Sequence, residues 1–290
     1  MKAGVVGAGL MGAEIALVFA LGGHDVLLHD RSEEALAAAL DRIRFILDKK
    51  VARQACEPEA ARAAQARIAP VAAIDALDDC AMVTEAVFES IDAKAEVLRA
   101  LDAACRPDCI LASNTSTINI STLASFLTPD RRTNFLGTHY FSPVSRMKLV
   151  EIIPGFEIDA AIVDEVTDTL AGIGKQPIRT KDVAGFAVNR MLHALLIEAV
   201  RLVEEGVATP EDLDTACRLG LGHPIGPFAL MDNVSSSLCL QVQNILHDCH
   251  GERFRPPALL KQRVAAGYGG GRGRPGWMMP AEAAEKGTGS

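Results

Sequence analysis

Short apolar runs alternate with longer amphipathic stretches through the first half of the chain. The runs predict β-strands at 3–6, 25–29, 81–85, 109–112 and 135–139. Between them, apolar residues recur at three- and four-residue intervals, which predicts helices over 10–21, 32–50 and 91–105. Repeated strand and helix units predict a doubly wound parallel sheet. A strand, a helix and a strand at 148–153, 160–173 and 176–180 would complete it.

The pattern changes near Gly185, after which only helices are predicted. They cover 186–205, 210–219 and 236–250. We therefore predict an α/β domain over residues 1–183 and an all-helical C-terminal domain over residues 184–277. Residues 278–290 lack apolar periodicity and are predicted to be a disordered tail.

The 290-residue chain has a formal net charge of −8, which argues against a nucleic-acid partner because such partners require a basic face. Its seven cysteines are scattered without a C-x-x-C pair, so we expect no disulfide framework and a reducing, cytoplasmic setting. No apolar run reaches membrane-spanning length, so no membrane partner is predicted. No metal site is predicted either. An anionic ligand must then be met by local basic clusters.

A glycine motif links the first predicted strand to the first predicted helix. Gly7, Gly9 and Gly12 stand at the positions that give a tight turn, a close approach of the backbone to a pyrophosphate, and tight helix packing. Leu10 and Met11 would present first-turn N–H groups to that anion. The motif predicts a Rossmann-type domain that binds a dinucleotide, and a glycine-rich turn between packed elements is the structural alternative.

Asp30 ends the second predicted strand, at the spacing where a carboxylate accepts hydrogen bonds from the adenine ribose hydroxyls. Its charge would also repel the additional phosphate of NADP, although Arg31 follows directly. NAD is therefore the predicted cofactor. Taken alone, Asp30 is equally compatible with an ordinary turn at the end of a strand.

Several ordered blocks carry a resemblance to a known family. They are Gly7 to Gly12, Thr84 to Glu89, Ser113 to Ser116, Gly137 to His139, Met147 to Glu151, Gly185 to Arg190 and His223 to Pro227. From Lys2 to about Gly276 the chain resembles the L-3-hydroxyacyl-CoA dehydrogenases of fatty-acid oxidation, including the 3-hydroxybutyryl-CoA type. The resemblance implies reversible, NAD-dependent oxidation of an L-3-hydroxyacyl-CoA to the 3-ketoacyl-CoA.

Oxidation of a secondary alcohol needs a base for the hydroxyl proton while hydride leaves the carbon, and a neutral imidazole suits neutral pH. His139 is the candidate base. The resemblance assigns Glu151 to the other imidazole nitrogen, where a carboxylate fixes the tautomer and stabilises the cation. Considered alone, a histidine at a strand end is more often structural. A buried Glu151 between apolar neighbours would need a partner.

The resemblance assigns four further residues. Ser116 and Asn189 match positions that hydrogen-bond the substrate oxygen or orient the thioester. Glu89 and Lys94 match residues near the nicotinamide ribose. Without the resemblance, Ser116 is a turn or cap residue and Asn189 is a helix-surface amide. Glu89 and Lys94 would then be an ordinary acid and base on a solvated helix face.

Basic residues are the candidates for contact with the anionic part of coenzyme A. Lys49, Lys50 and Arg53 form the best basic cluster of the first domain, at a helix end where the family binds that moiety. An ordinary surface charge run is the alternative. Arg272 roughly matches a family residue near the cofactor.

Three segments depart from the family pattern. Ser142 replaces the usual asparagine, so its contact with the nicotinamide ribose would change because a hydroxyl lacks the reach of an amide. After Asp232 the usual Gly-Leu-Asp stretch is absent, and the chain reads Asn-Val-Ser-Ser-Ser over 233–237. The closing Gly-Phe-Tyr block is replaced by Gly-Trp-Met at 276–278. The last two lie where acyl-chain fit and subunit contacts would be decided.

The long amphipathic helices of the second domain offer more apolar surface than one small domain buries, so a homodimer through that domain is predicted. The acyl-CoA substrate would bind between the domains. Two other functions stay open. One is a dehydrogenase of the same architecture that acts on a free, gulonate-like hydroxy acid, and the other is a non-catalytic NAD-binding or crystallin-like structural protein. The retained His139 and Glu151 argue against the latter.

Overall fold

The computed structural model describes residues 1–271 and 273–278. The chain divides into two compact units, with the boundary between Phe186 and Ala187. The first unit alternates strands and helices, and the described part of the second consists of helices and their connections. The predicted fold class is confirmed. No helix within the described residues has both the length and the apolar character that a membrane crossing requires.

Eight strands form one sheet in the first unit. They are β1 (Lys2–Val6), β2 (Asp25–His29), β3 (Ile68–Val71), β4 (Met82–Glu85), β5 (Ile110–Ser113), β6 (Phe135–Tyr140), β7 (Leu149–Pro154) and β8 (Gln176–Arg179). Their order across the sheet is β3-β2-β1-β4-β5-β6-β7-β8. The chain winds one way from β1 and the other way from β4, so the carboxyl ends of these two strands form the crevice where such folds bind ligands.

The last two strands run opposite to the other six. β6 and β7 pair antiparallel, whereas β8 is parallel to β7. The reason is the short connection at 141–148, because a parallel pair needs a crossover of a dozen or more residues, about one helix long. The sequence pattern placed both strands correctly but did not predict their direction.

Helices cover both faces of the sheet. They are α1 (Leu10–Leu21), α2 (Glu33–Ala52), α3 (Pro58–Ala66), α4 (Ile91–Ala104), α5 (Ile120–Ala124), α6 (Pro129–Arg132) and α7 (Ala160–Gly172). One apolar cluster joins the sheet to α1, α2, α3 and α7, and another joins it to α4 and α5. Successive strand residues serve opposite faces, so Ile110 belongs to the first cluster and Leu111 to the second.

Four of the elements given above for this unit, β3, α3, α5 and α6, were not predicted, and the last two are only five and four residues long. β3 is short and contains Pro70, which the sheet tolerates because β3 is an edge strand. The helix α3 is rich in alanine and carries no clear apolar stripe in its sequence, although Ala61 and Ala64 are buried. Small side chains therefore hid both its helical period and its packing face.

The second unit contains α8 (Val188–Glu204), α9 (Pro210–Gly220), α10 (Pro227–Val234), α11 (Ser236–His250) and α12 (Ala258–Ala265). Its core joins Leu196 and Val200 of α8 to Phe228, Leu260 and Trp277. The sequence pattern predicted α8, α9 and α11. It did not predict α10 and α12, which have eight residues each and are too short for a clear period.

The two replaced segments of this unit contact each other. Ser235 has a φ of +93°, a left-handed conformation that favours glycine. The hydroxyl of buried Ser236 accepts a hydrogen bond from Nε1 of Trp277 at 3.0 Å. Asp232 accepts the backbone N–H groups of Trp277 and Met278, each at 2.8 Å. One replacement therefore supplies the hydrogen-bond partner that the other needs.

Replacing Ser236 with alanine would leave the indole N–H of Trp277 buried without that partner. Such a loss costs about 1–3 kcal/mol, so we expect S236A to lower the free energy of unfolding by that amount. Urea titration followed by the fluorescence of the single tryptophan measures it. The exposed neighbour provides the control, because S237A should stay within about 0.5 kcal/mol of the parent. Equal losses in the two variants would contradict the role given to the Ser236 hydroxyl.

Candidate active site

The glycine loop between β1 and α1 is shaped by close contacts at two of its glycines. Gly7 has a φ of +101°, and a Cβ there would lie 2.7 Å from the carbonyl oxygen of Ala86. A Cβ on Gly12 would lie 1.8 Å from the carbonyl oxygen of Gly7. Nothing lies within 4 Å of a Cβ position on Gly9. The outer two glycines are thus required by packing, and the middle one leaves space for a ligand.

The start of α1 has the properties of an anion site. The first intrahelical hydrogen bond runs from the N–H of Ala13 to the carbonyl oxygen of Gly9 at 3.0 Å, which leaves the N–H groups of residues 10–12 outside the helical pattern. Leu10 is exposed and Met11 is half-buried. Open space at Gly9 and N–H groups at the positive end of a helix fit a pyrophosphate.

Asp30 follows β2 and is held against the glycine loop. Its Oδ2 accepts the N–H of Ala8 at 2.8 Å, and its Oδ1 accepts the N–H of Ser32 at 2.9 Å. Each carboxylate oxygen has a second acceptor position. Asp30 can therefore fix the loop and still accept hydrogen bonds from ribose hydroxyls.

The antiparallel pairing of β6 with β7 brings His139 and Glu151 together. They are direct partners in the register, and Nδ1 of His139 lies 2.8 Å from Oε2 of Glu151. The carboxylate is fully buried, and 8 % of the imidazole side chain remains exposed. Because an ionised carboxylate only accepts, Nδ1 carries the proton and Nε2 is the nitrogen that can exchange one with a substrate.

Aromatic rings and an amide support this strand end. The rings of Phe141 and Phe186 lie 4.5 and 5.7 Å from the His139 ring, measured between centroids. The backbone N–H of Tyr140 donates to Oδ1 of Asn114 at 2.9 Å. Sequence reasoning gave none of these three supporting side chains a role, because none belongs to a spacing typical of a catalytic group.

A buried ion pair lies at the end of β4, beside the glycine loop. The ammonium of Lys94 is 2.8 Å from Oε1 of Glu85, and both side chains are at most 1 % exposed. Ser113 donates to the other oxygen of Glu85 at 2.6 Å, and the N–H of Val87 donates to Oε1 at 2.7 Å. Sequence reasoning assigned Glu85 no role, although a carboxylate at the end of an apolar strand signals a partner.

Glu89 connects this pair to the segment that carries Ser116. The ammonium of Lys94 is 3.4 Å from its Oε2. Its Oε1 accepts hydrogen bonds from Thr115, Ser116 and Thr117, including the backbone N–H groups of the last two at 2.8 and 2.9 Å. Burial alone would raise the pKa of Glu89, but Lys94 and these hydrogen bonds outweigh it and lower that pKa. An ionised Glu89 thus fixes the shape of the 115–117 segment.

The three basic residues on α2 do not share one environment. Lys49 is exposed, with its ammonium 4.1 Å from the centroid of the Phe45 ring. Arg53 is exposed and ends the helix one turn later. Lys50 is half-buried and lines a groove with α1 and the 145–148 segment. The cluster that looks continuous in the sequence is therefore divided between two surfaces.

The remaining candidates lie at three places. Ser142 is exposed in the connection between β6 and β7. Asn189 is half-buried in the first turn of α8, in the second unit. Arg272 lies outside the described residues. Within the described residues, no group of three histidine, cysteine, aspartate or glutamate side chains is placed to hold a metal ion.

Comparisons with known proteins agree with the geometry. The sequence profile of the 3-hydroxyacyl-CoA dehydrogenase NAD binding domain matches residues 2–183, and that of the family's C-terminal domain matches residues 185–278. A probable 3-hydroxybutyryl-CoA dehydrogenase of Deinococcus radiodurans is 38 % identical over 271 residues, which cover 92 % of this chain and 95 % of the relative.

Solved structures show the same similarity. The structure of FadB2 from M. tuberculosis covers 96 % of this chain and 98 % of its own, with 34 % identity and a TM-score of 0.91. The (S)-3-hydroxybutyryl-CoA dehydrogenase PaaH1 from Ralstonia eutropha is 35 % identical, with a TM-score of 0.90 and coverage of 94 % of this chain and 97 % of its own. The predicted family and the NAD cofactor are confirmed. The chain belongs to the 3-hydroxyacyl-CoA dehydrogenase family of NAD-dependent oxidoreductases.

Proposed function

We propose that the protein catalyses the reversible, NAD-dependent oxidation of an L-3-hydroxyacyl-CoA to the 3-ketoacyl-CoA. The observation that carries this proposal is the buried contact of His139 with Glu151 at 2.8 Å. It occurs in the domain whose profile is that of an NAD-binding family. Relatives named 3-hydroxybutyryl-CoA dehydrogenase favour a short-chain thioester as the substrate.

Bound NAD supplies a hydride acceptor at its nicotinamide ring. The loop from Gly7 to Gly12 would hold its pyrophosphate against the first turn of α1. Asp30 would accept hydrogen bonds from the adenine ribose, because the contacts with Ala8 and Ser32 leave acceptor positions free on both oxygens. Its negative charge disfavours the 2′-phosphate of NADP.

His139 would act as the base and Glu151 as the group that orients it. In the oxidation direction, Nε2 of His139 takes the proton of the substrate hydroxyl while hydride leaves the carbon that bears this hydroxyl. The imidazolium that forms is stabilised by the carboxylate at Nδ1. In the reduction direction, Nε2 returns the proton to the ketone oxygen. Because the pair is buried, its electrostatic interaction is screened less than it would be in water.

The Ser116 hydroxyl donates to Oε1 of Glu89 at 3.2 Å, so it would turn from Glu89 to donate to the substrate oxygen or the thioester, and the Asn189 amide would donate there as well. Glu89 supports the role of Ser116, since it holds the backbone N–H on either side of the Ser116 side chain. Lys49 and Arg53, which lie one turn apart on α2, would contact the phosphates of coenzyme A. The environment of Lys50 makes it a weaker candidate for that contact.

We further propose that the second unit forms a homodimer contact. Several large apolar side chains on its helices are exposed, among them Met191 at 67 % and Leu219 at 81 %. Exposed apolar surface of this kind marks protein interfaces when it is contiguous.

The proposed substrate class is tested by steady-state rates with thioesters and free acids. We expect NADH oxidation with acetoacetyl-CoA to exceed that with free acetoacetate at least about a hundredfold in kcat/KM, because the free acid lacks the binding energy of the coenzyme A moiety. The absorbance of NADH measures both rates. Turnover of free hydroxy acids without any thioester activity would instead support the gulonate-type alternative.

Replacing His139 with alanine should lower kcat by about 10²–10⁴-fold, since general base catalysis contributes that factor. E151Q should also lower kcat, because an amide no longer fixes the tautomer or stabilises the imidazolium. NADH binding, measured by fluorescence titration, should change little in either variant. The control is H247A, which alters a half-buried histidine of the second unit. A parental oxidation rate in H139A would refute the catalytic assignment.

Replacing Lys94 with methionine would leave the carboxylate of Glu85 buried without its cation. Breaking a buried pair in this way costs about 3–5 kcal/mol, so we expect a large fall in the urea midpoint of K94M. Adding E85Q should restore much of that loss, because the neutral amide removes the uncompensated charge. K94M with an unchanged midpoint would show that the pair does not hold this part of the site together.

A further inference from the structure

A groove of about 200 Å³ lies on the first unit, away from the glycine loop. Val18 and Leu21 at the C-terminal end of α1 line it, together with residues 145–148 and 173–175. α1 has 12 residues and a rise of about 1.5 Å per residue, so it is about 18 Å long. The dinucleotide loop precedes its other end. The groove is therefore a separate place on the domain.

The charges that line this groove have one sign. Its ionisable lining residues are Lys50, Arg146, Lys148 and Lys175, and no carboxylate is among them. Within the described part of the chain, the side chains of Lys50, Arg146 and Lys148 have no hydrogen-bond or ion-pair partner. These cations gather in one concavity of a chain whose net charge is −8. The concavity therefore attracts anions locally, against the charge of the whole chain.

Lys175 gives the groove a fixed donor. It is 8 % exposed, and its ammonium donates to the carbonyl oxygens of Val144 and Met147. Two of its three N–H groups are thus used, and one is left. Burial lowers the pKa of Lys175 to about 8, with Glu14 opposing and Lys50 adding to this effect. Lys50 and Lys175 thus repel each other, and an anion between them would remove that repulsion.

We propose that this groove is a second anion site, which binds a phosphate-bearing ligand independently of the dinucleotide loop. A phosphate group has enough oxygens to accept hydrogen bonds from several cations at once, including the forked guanidinium of Arg146. Lys50 on α2 and Lys148 before β7 would bind it from two sides. The proposal goes beyond the dehydrogenase activity and does not depend on it.

Binding there would restrain the connection between β6 and β7. The 145–148 segment already contacts α1, because the N–H of Ser145 donates to Oε2 of Glu14 at 2.8 Å. It also lies between Ser142 and Glu151 in the chain. A ligand held by Lys50 and Arg146 would add a link from α2 to the same segment. We therefore expect bound anion to stabilise the first unit against unfolding.

The test is calorimetric titration of the full chain with pyrophosphate while NADH saturates the dinucleotide site. We expect pyrophosphate to bind, and we expect K50Q/R146Q to weaken that binding at least about tenfold, because each lost charge-assisted hydrogen bond is worth more than that factor. The matched control is R42Q/K261Q, which removes the same two charges from exposed positions outside the groove and should bind like the parent. No binding by the parent, or equal weakening in both double variants, would overturn the proposal.

A parallel titration with 3′,5′-ADP distinguishes two sources of the phosphate. If K50Q/R146Q weakens 3′,5′-ADP as well as pyrophosphate, the groove takes the nucleotide end of a coenzyme A thioester. If 3′,5′-ADP depends only on Lys49 and Arg53 while pyrophosphate depends on the groove, the occupant is a free phosphate anion. Both outcomes support the anion site. Because these titrations measure binding and the dehydrogenase proposal is tested by turnover, a failure of one proposal can be told apart from a failure of the other.

Discussion

The antiparallel pairing of β6 with β7 is the constraint on which the proposed chemistry of this protein depends. In an otherwise parallel sheet, residues 141–148 are too few to cross back over a face, so β7 must run against β6. That direction places His139 opposite Glu151 on neighbouring strands. The backbone ladder therefore fixes the distance between the two side chains, with no need for a flexible loop. A pair positioned in this way is already organised before any substrate binds.

Three carboxylates at the carboxyl edge of the sheet accept hydrogen bonds from neighbouring groups. Those of Glu85 and Glu151 are fully buried, whereas the Glu89 side chain is 32 % exposed. Glu151 has His139, Glu85 has Lys94 and Ser113, and Glu89 has the 115–117 segment. Burying a charge without such partners would be very costly. The same hydrogen bonds therefore stabilise the unit and set the shape of the proposed substrate and cofactor surfaces. Stability and site geometry are carried by the same side chains in this part of the molecule.

The second unit shows how a departure from a family pattern can be accommodated. Ser235 adopts a conformation that suits glycine, and its hydroxyl donates to the carbonyl oxygen of Gly269 at 3.2 Å, which offsets part of the strain. Ser236 and Trp277 are far apart in sequence but form one buried hydrogen bond. Each of these departures could look damaging alone. Together they form a closed local network with Asp232.

The sequence by itself determined the order of strands and helices, the glycine loop and the family. These follow from local properties: apolar period, the steric need for glycine at Gly7 and Gly12, and runs of identical residues. Even Glu151, the partner of the proposed base His139, was named from the sequence, although only through the resemblance. Short or alanine-rich elements such as β3 and α3 were missed, because small or few side chains carry little periodic signal.

The tertiary structure alone decided which of these residues meet. Lys50 is adjacent to Lys49 in the chain, but Lys50 lines the groove beside α1 whereas Lys49 lies over the Phe45 ring, since neighbours on a helix point about 100° apart. From the sequence alone, Lys94 could be paired with Glu89 on a solvated helix face. In the structure it is buried and forms an ion pair with Glu85, which lies at the end of β4. The direction of β7 depended on the length of a connection and on pairing across the sheet. Such facts depend on distances between residues remote in sequence, and no local pattern contains them.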